Sequence, residues 1–213
     1  MATYAAPVTA GDRDALPGPL PRGLPWLLLL GGLIGLVAAF VLTVEKIALI
    51  ADPTYRPSCS LNPVLSCGSV MATPQASVFG FPNSLLGVAG FAVVTATGAA
   101  LLAGARLRGW YWLGLQAGAT GGVVFVHWLI GQSLYRIGAL CPYCMAVWAV
   151  TIPIFFYVTL SMLDRSVGRI PTPIRTVAAA AGRHHGVVLT AWVLVILALI
   201  VQRFWSFWVL VGR

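Results

Sequence analysis

Five apolar stretches, each about as long as a bilayer-crossing helix, dominate this sequence. Only 8% of its 213 residues are charged and 59% are hydrophobic, whereas a soluble domain carries about 25% charged residues. The stretches cover residues 24–49, 85–105, 110–132, 140–163 and 187–211. A helix needs about 20 apolar residues to cross a bilayer, and it satisfies its backbone groups internally. The sequence therefore predicts an all-α polytopic membrane protein with five transmembrane helices.

The basic residues predict how these helices are oriented. Cytoplasmic loops of membrane proteins are enriched in lysine and arginine. Three segments carry most of the arginines, namely Arg13 and Arg22, then Arg106 and Arg108, then Arg165, Arg169, Arg175 and Arg183. All three segments fall on one side, so we expect a cytoplasmic N-terminus, with the loop 51–84 and the C-terminus outside. Because the net charge of +8 resides in short loops between spans, nucleic-acid binding is disfavoured.

The segments between the apolar stretches predict the remaining organisation. Residues 1–23 are rich in proline and glycine, which predicts a disordered cytoplasmic tail. The outer loop 51–84, here called the capping loop, has few charges and many apolar residues. We therefore expect it to fold back onto the bundle, with short helical pieces broken at Pro74 and Pro82. Residues 164–186 are predicted to form a basic cytoplasmic loop.

All four cysteines map to the outer side in this topology. Cys59 and Cys67, the loop pair, lie in the capping loop, and Cys141 and Cys144, the helix pair, form a CxxC that opens the fourth span. Pro142 suits the first turn of a helix, where oriented amides lower a cysteine pKa. Cys144 would lie one turn deeper in the membrane than Cys141, where it can meet a lipid-soluble partner.

Two cysteine pairs on one outer face predict a redox relay. An exterior compartment permits disulfides, and each transfer step is thiolate attack through a mixed disulfide. Such attack needs Cα atoms within about 7 Å, so we expect the capping loop to swing. The alternatives are inert structural disulfides in a non-enzymatic membrane scaffold or transporter, and a tetrahedral zinc site. They are disfavoured because a CxxC at a helix start is a reactive arrangement and a polytopic bundle needs no staple.

Four motifs resemble the bacterial branch of the vitamin K epoxide reductase (VKOR) family over residues 24–163. They are Glu45-Lys46 at the end of the first span, PSCSLNPVLSCGSV, TPQASVFGFPNSLLG, and LCPYC opening the fourth span. The resemblance implies a four-helix catalytic bundle around a quinone, with a fifth transmembrane helix at 187–213 outside it. The unrelated bacterial disulfide-bond protein B has its two cysteine pairs in the opposite order, which argues against that family.

The resemblance also implies a role for each cysteine. Cys144 is the cysteine that faces the quinone, and Cys141 completes the active pair. Cys67 attacks the disulfide of the helix pair, and Cys59 resolves the resulting mixed disulfide. All four are thus expected to be catalytic, and no metal is expected.

Three further residues are implied to contact the quinone together with Cys144. Asn83 matches a family asparagine that hydrogen-bonds a quinone carbonyl, although an N-cap of the second span fits it equally well. Thr73 matches a family Ser/Thr of the capping loop, and its alternative is a turn residue before Pro74. Trp148 occupies the place of a tyrosine in the animal branch and is expected to line the ring pocket.

Partner and location follow from the same resemblance. We expect a separate DsbA-like thioredoxin-fold protein outside a bacterial inner (plasma) membrane, because no fused thioredoxin-like domain follows the fifth span. Electrons would pass inward to a quinone, for which menaquinone is plausible. The polar residues within spans are expected to be structural. His127 should make a hydrogen bond in the bundle interior, and Glu45 and Lys46 should point to different faces and hold the capping loop.

Overall fold

The protein is a bundle of long helices in a computed structural model that describes residues 21–165, 171–205 and 209. The helices of this part of the chain are α1 (Leu24–Ala51), α2 (Cys67–Met71), α3 (Asn83–Leu102), α4 (Gly109–Gln132), α5 (Pro142–Arg165), α6 (Thr172–Arg183) and α7 (His185–Arg203). A 3₁₀ helix covers Pro74–Ser77, and a π-helical turn at Ser133–Ile137 extends α4. Five of them, α1, α3, α4, α5 and α7, are long and apolar enough to cross a membrane. The predicted all-α polytopic fold is confirmed.

Small residues let α1 and α3 approach each other closely. A Cβ added at Gly98 of α3 would collide with the backbone of Leu29, and one added at Gly32 of α1 would collide with Thr95. Gly35 of α1 packs in the same way beneath the ring of Phe91. Glycines at such contacts are the usual means by which membrane helices gain van der Waals packing, since lipid supplies no hydrophobic drive between helices.

Buried side chains form separate clusters at the two ends of the bundle. The end beneath the capping loop is here called the outer end. Leu24, Leu101 and Trp112 belong to a cluster at one end of the helices. Leu42 and Met71 pack with three of the four cysteines at the other end. The chain enters this outer end through Gly138, whose φ of +72° is the left-handed conformation that glycine adopts without strain at the end of a helix. The turn at Gly138 thus brings the start of α5 under the capping loop.

Two predicted segments differ in detail from the structure. The capping loop does contain short helical pieces, α2 and the 3₁₀ helix, but Pro74 begins the 3₁₀ helix and does not break one. Within the predicted basic loop 164–186, the structure has a helix, α6, at Thr172–Arg183. A proline at the first turn of α6 favours the helix start. Most of the predicted tail 1–23 lies outside the described residues.

Candidate active site

Three sulfur atoms meet beneath the capping loop. The Sγ atoms of Cys59, Cys67 and Cys141 all lie within 4.8 Å of one another. Cys59 and Cys67 form a disulfide with their Cα atoms 5.6 Å apart, whereas Cys141 and Cys144 are free thiols. The Sγ atoms of Cys67 and Cys141 are 3.1 Å apart. This contact is the arrangement from which a thiolate exchanges with a disulfide.

A backbone bridge places the two reacting cysteines side by side. The N–H of Ser66 donates to the carbonyl of Leu140 at 2.8 Å, and the N–H of Leu140 donates to the carbonyl of Val64 at 2.7 Å. Ser66 and Leu140 immediately precede Cys67 and Cys141 in the chain. The expected swing of the capping loop is therefore not needed for transfer between these two sulfurs, because the bridge already holds them in contact.

Glu45 and Lys46, adjacent near the outer end of α1, hold opposite ends of the cysteine segment. The buried Glu45 carboxylate accepts hydrogen bonds from the Ser58 hydroxyl at 2.6 Å and from the Ser58 N–H at 3.3 Å. The Tyr55 hydroxyl also donates to Glu45, and this bond raises the pKa of Tyr55. Lys46 Nζ donates to the carbonyl of Met71 at 2.6 Å. The prediction that these two residues hold the loop is confirmed.

Local hydrogen bonds favour a thiolate at Cys141, which lies just before the fourth span. The Cys144 thiol donates to Cys141 and is the largest cause of a lowered pKa of Cys141. The backbone amides of Cys144 and Tyr143 lower it further, while burial opposes them. The Cys144 N–H lies 3.4 Å from Cys141 Sγ. Within the helix pair, these contacts favour deprotonation of Cys141 over that of Cys144.

A cavity of about 970 Å³ lies inside the bundle beneath the capping loop. Its walls are mostly apolar and come from α1, α3, α4, α5 and the capping loop. Such a volume is at the upper end of those that hold small molecules. The four residues expected to contact a quinone, namely Thr73, Asn83, Cys144 and Trp148, all line this cavity. The helix pair is therefore in contact with the loop disulfide on one side and with the cavity on the other.

Asn83 joins the capping loop to the start of α3. It is the first residue of that helix, and Pro82 occupies the N-cap position without a side-chain cap, so the N-cap interpretation of Asn83 is wrong. Its Oδ1 accepts from the N–H of Val78 at 3.1 Å, and its Nδ2 donates to the carbonyl of Gln75 at 2.7 Å. An amide nitrogen has two hydrogens, so one remains for a ligand.

Thr73 and Trp148 close the cavity from two sides. The Thr73 hydroxyl donates to the carbonyl of Val70 at 2.7 Å, in the turn just before Pro74. The Trp148 side chain is buried, with 4% of its surface exposed, and it belongs to one packed cluster with Leu140 and with Phe204, which directly follows α7. Both residues shape the cavity wall, and the hydroxyl hydrogen of Thr73 is already used within the loop.

The contribution of α7 was not foreseen from the sequence. The Trp192 Nε1–H donates to His127 Nε2 at 2.9 Å, and His127 Nδ1 lies 2.7 Å from the carbonyl of Val123. Indole nitrogen only donates, so His127 is the neutral tautomer with hydrogen on Nδ1. The predicted interior position of His127 is wrong, because its side chain is exposed on the face of α4 that points towards α7. Arg203 also donates to the carbonyl of Leu134 at 2.8 Å.

These features define a dithiol–disulfide exchange centre beside an apolar cavity, at one end of a bundle of helices that can cross a membrane. The model of the vitamin K epoxide reductase family matches residues 26–159, and the chain belongs to that family. This family is one of quinone-linked thiol oxidoreductases. The match covers α1 to α5 and stops before α6 and α7. A search of curated proteins finds no match.

Proposed function

We propose that this protein reoxidises an extracytoplasmic DsbA-like thioredoxin-fold partner and passes the electrons to a membrane quinone, thereby supporting disulfide bond formation. The observation that carries the proposal is the 3.1 Å contact between Cys67 and Cys141, with Cys144 in the wall of the cavity. Electrons would thus pass from the loop pair to the helix pair, and from the helix pair to a quinone in the cavity.

The relay begins at Cys59. A partner thiolate attacks Cys59 Sγ and releases Cys67 as a thiolate, because Cys67 is fully buried while 6% of Cys59 is exposed. A second partner thiol then attacks the partner's sulfur in this mixed disulfide and releases Cys59. The partner leaves oxidised, and the loop pair is left as two thiols. The exposed residues Ser58 and Ser60 flank the entry point.

Electrons then move from the loop pair to the helix pair. The Cys67 thiolate attacks Cys141 of the oxidised helix pair and releases Cys144, and Cys59 then attacks Cys67 and releases Cys141. The products are a Cys59–Cys67 disulfide and two free thiols, which is the redox state of this structure.

In the last step, electrons pass from the helix pair to a quinone in the cavity. A quinone accepts two electrons and two protons when bound, and Cys141 and Cys144 supply both as they close their disulfide. Cys144 lines the cavity, and Asn83 offers its second amide hydrogen to a carbonyl oxygen. Buried Trp148 and the apolar walls exclude water. We propose menaquinone as the acceptor, and the cavity of about 970 Å³ has room for its two-ring head group.

The proposed location is a bacterial inner membrane with the cysteines and the C-terminus outside. Arg106 and Arg108 lie between α3 and α4, at the end of the bundle opposite the capping loop. Positive loops stay cytoplasmic, and the periplasm permits disulfides. These two facts support the same orientation.

The test is quinone reduction by the purified protein in detergent or nanodiscs, with a dithiol donor and menadione. We expect turnover by the wild type and its loss in Cys144→Ala, with helix content and thermal unfolding unchanged. A wild type that reduces no quinone would favour a non-enzymatic membrane scaffold or transporter with structural disulfides. A Cys144→Ala variant that is fully active would contradict the assignment of Cys144 as the cysteine that faces the quinone.

A further inference from the structure

Lys46 lies where the capping loop meets the cavity. It is the only lysine in the 213-residue sequence. Its Nζ donates to the carbonyl of Met71 at the end of α2, and its side chain also lines the cavity. Among the described residues that line this cavity, Lys46 is the one with a charged side chain. A cation beside apolar walls needs a reason, because such surroundings disfavour charge.

Lys46 has more unused donor hydrogens than Thr73 or Asn83, the two polar residues that the family resemblance assigns to the quinone. A quinone carbonyl can only accept. Thr73 has a single hydroxyl hydrogen, which goes to Val70. Asn83 has two amide hydrogens, of which one goes to Gln75. Lys46 has three, and Met71 takes one. Lys46 therefore brings more donor capacity to this end of the cavity than Thr73, the residue that the family resemblance singles out.

We propose that Lys46 donates a hydrogen bond to a quinone carbonyl oxygen and stabilises the negative charge that builds there as electrons arrive from Cys144. This inference rests on the proposed function and deepens it. The two electrons and two protons still come from Cys141 and Cys144, so Lys46 keeps its proton over the cycle. A fixed cation in a water-poor site stabilises developing charge far better than one in water.

The same side chain is tied to the loop pair. Met71, which Lys46 contacts, ends the five-residue helix that Cys67 begins. If Lys46 were only structural, its role would be to donate a hydrogen bond to the Met71 carbonyl, and the neutral amide of a glutamine could do the same. Lys46→Gln therefore keeps a loop contact and removes the charge, Lys46→Met removes both, and Lys46→Arg keeps both.

A single lysine permits a direct measurement of binding. Full-length protein labelled with ¹⁵N,¹³C-lysine has one lysine side chain to observe by NMR. With both cysteine pairs oxidised, so that no turnover occurs, we expect menadione to shift the Lys46 signals in a saturable way. The matched control is 2-methylnaphthalene, which has the same two rings without carbonyl oxygens and should shift them little. Equal shifts with both compounds, or no shift with menadione, would overturn the proposal.

Kinetics provide the second readout. We expect Lys46→Gln to lower quinone reduction by about tenfold or more. In a Cys59→Ser background, with diamide in place of quinone as the oxidant, the Cys67–Cys141 linkage should form as readily as in Cys59→Ser alone. Lys46→Arg should recover part of the loss. Wild-type quinone reduction by Lys46→Gln would refute the charge role. If the wild type itself reduces no quinone but menadione alone shifts the Lys46 signals, the proposed function fails and the carbonyl contact stands.

Discussion

The loop pair and the helix pair contain the same chemical group, but different parts of the molecule hold them in place. The helix pair lies at the start of α5, with Cys141 directly before the helix and Cys144 in its first turn, and the CxxC spacing alone brings the two together. The loop pair depends on distant residues, because Glu45 of α1 holds Ser58 and Leu140 holds Ser66 through the backbone bridge. Local spacing thus fixes one pair, and tertiary contacts fix the other.

This difference gives the two pairs different sensitivities. A substitution at a distance should disturb the loop pair and leave the helix pair intact, whereas the helix pair should respond only to changes in its own turn or in the cavity wall. In the proposed relay, the fixed pair faces the cavity and the dependent pair faces the partner. The predictions below test this division, beginning with the largest expected effect.

Removing Cys67 should stop electron transfer between the two pairs. We expect Cys67→Ser to lower partner-driven quinone reduction by about a thousandfold or more, because the sulfur in contact with Cys141 is lost. Quinone binding should stay as in wild type, since Cys67 does not line the cavity. The first result is checked by the rate of menadione reduction, measured from its absorbance, with the reduced partner as electron donor. The second is checked by measuring menadione binding. Partner-driven turnover near the wild-type rate would contradict the assignment.

Breaking a distant anchor should loosen the loop pair alone. We expect Glu45→Ala to cost about 1–3 kcal/mol of unfolding free energy, because it leaves Ser58 without its buried acceptor. Reduction of the Cys59–Cys67 disulfide by an outside dithiol should become faster, and exchange within Cys141–Cys144 should not change. Thr54→Ala, in an exposed turn of the same loop, is the matched control. Equal effects of the two substitutions would argue against a specific anchor.

The helix pair should respond to its own turn. The Cys144 thiol lowers the pKa of Cys141, so Cys144→Ala should raise that pKa and reduce the thiolate fraction of Cys141 near neutral pH. Cys144→Ser keeps a donor and should raise it less. Thiolate absorbance near 240 nm, followed against pH with the loop pair oxidised, checks this order. A lower pKa of Cys141 in Cys144→Ala than in wild type would show that the Cys144 thiol is not the stabilising donor.

The same division explains how much the sequence could predict. The spans were found because apolar length is a local property, and α1 at Leu24–Ala51 matches the predicted stretch 24–49. The CxxC at the start of α5 was equally local. The family motifs led to Asn83, Thr73 and Trp148, which line the cavity.

What the sequence could not predict depends on pairs of residues far apart in the chain. The bridge between Leu140 and Val64 and the bond between His127 and Trp192 join positions whose patterns carry no common signal. The sequence therefore did not reveal that Cys67 and Cys141 are already held in contact, which makes a swing of the capping loop unnecessary for transfer between them. Nor does the sequence pattern predict that Arg203 donates to the carbonyl of Leu134, which lies in the π-helical turn before Cys141.

The most direct test of the relay is the linkage formed when Cys59 is removed. In Cys59→Ser the resolving thiol is gone, so oxidation by quinone should trap a Cys67–Cys141 disulfide, which peptide mapping by mass spectrometry under non-reducing conditions detects. Adding Cys141→Ser to this variant should abolish the linked peptide. The account predicts that Cys67 is linked to Cys141 as the main species. A Cys67–Cys144 peptide, or no peptide linking the two segments, would contradict it.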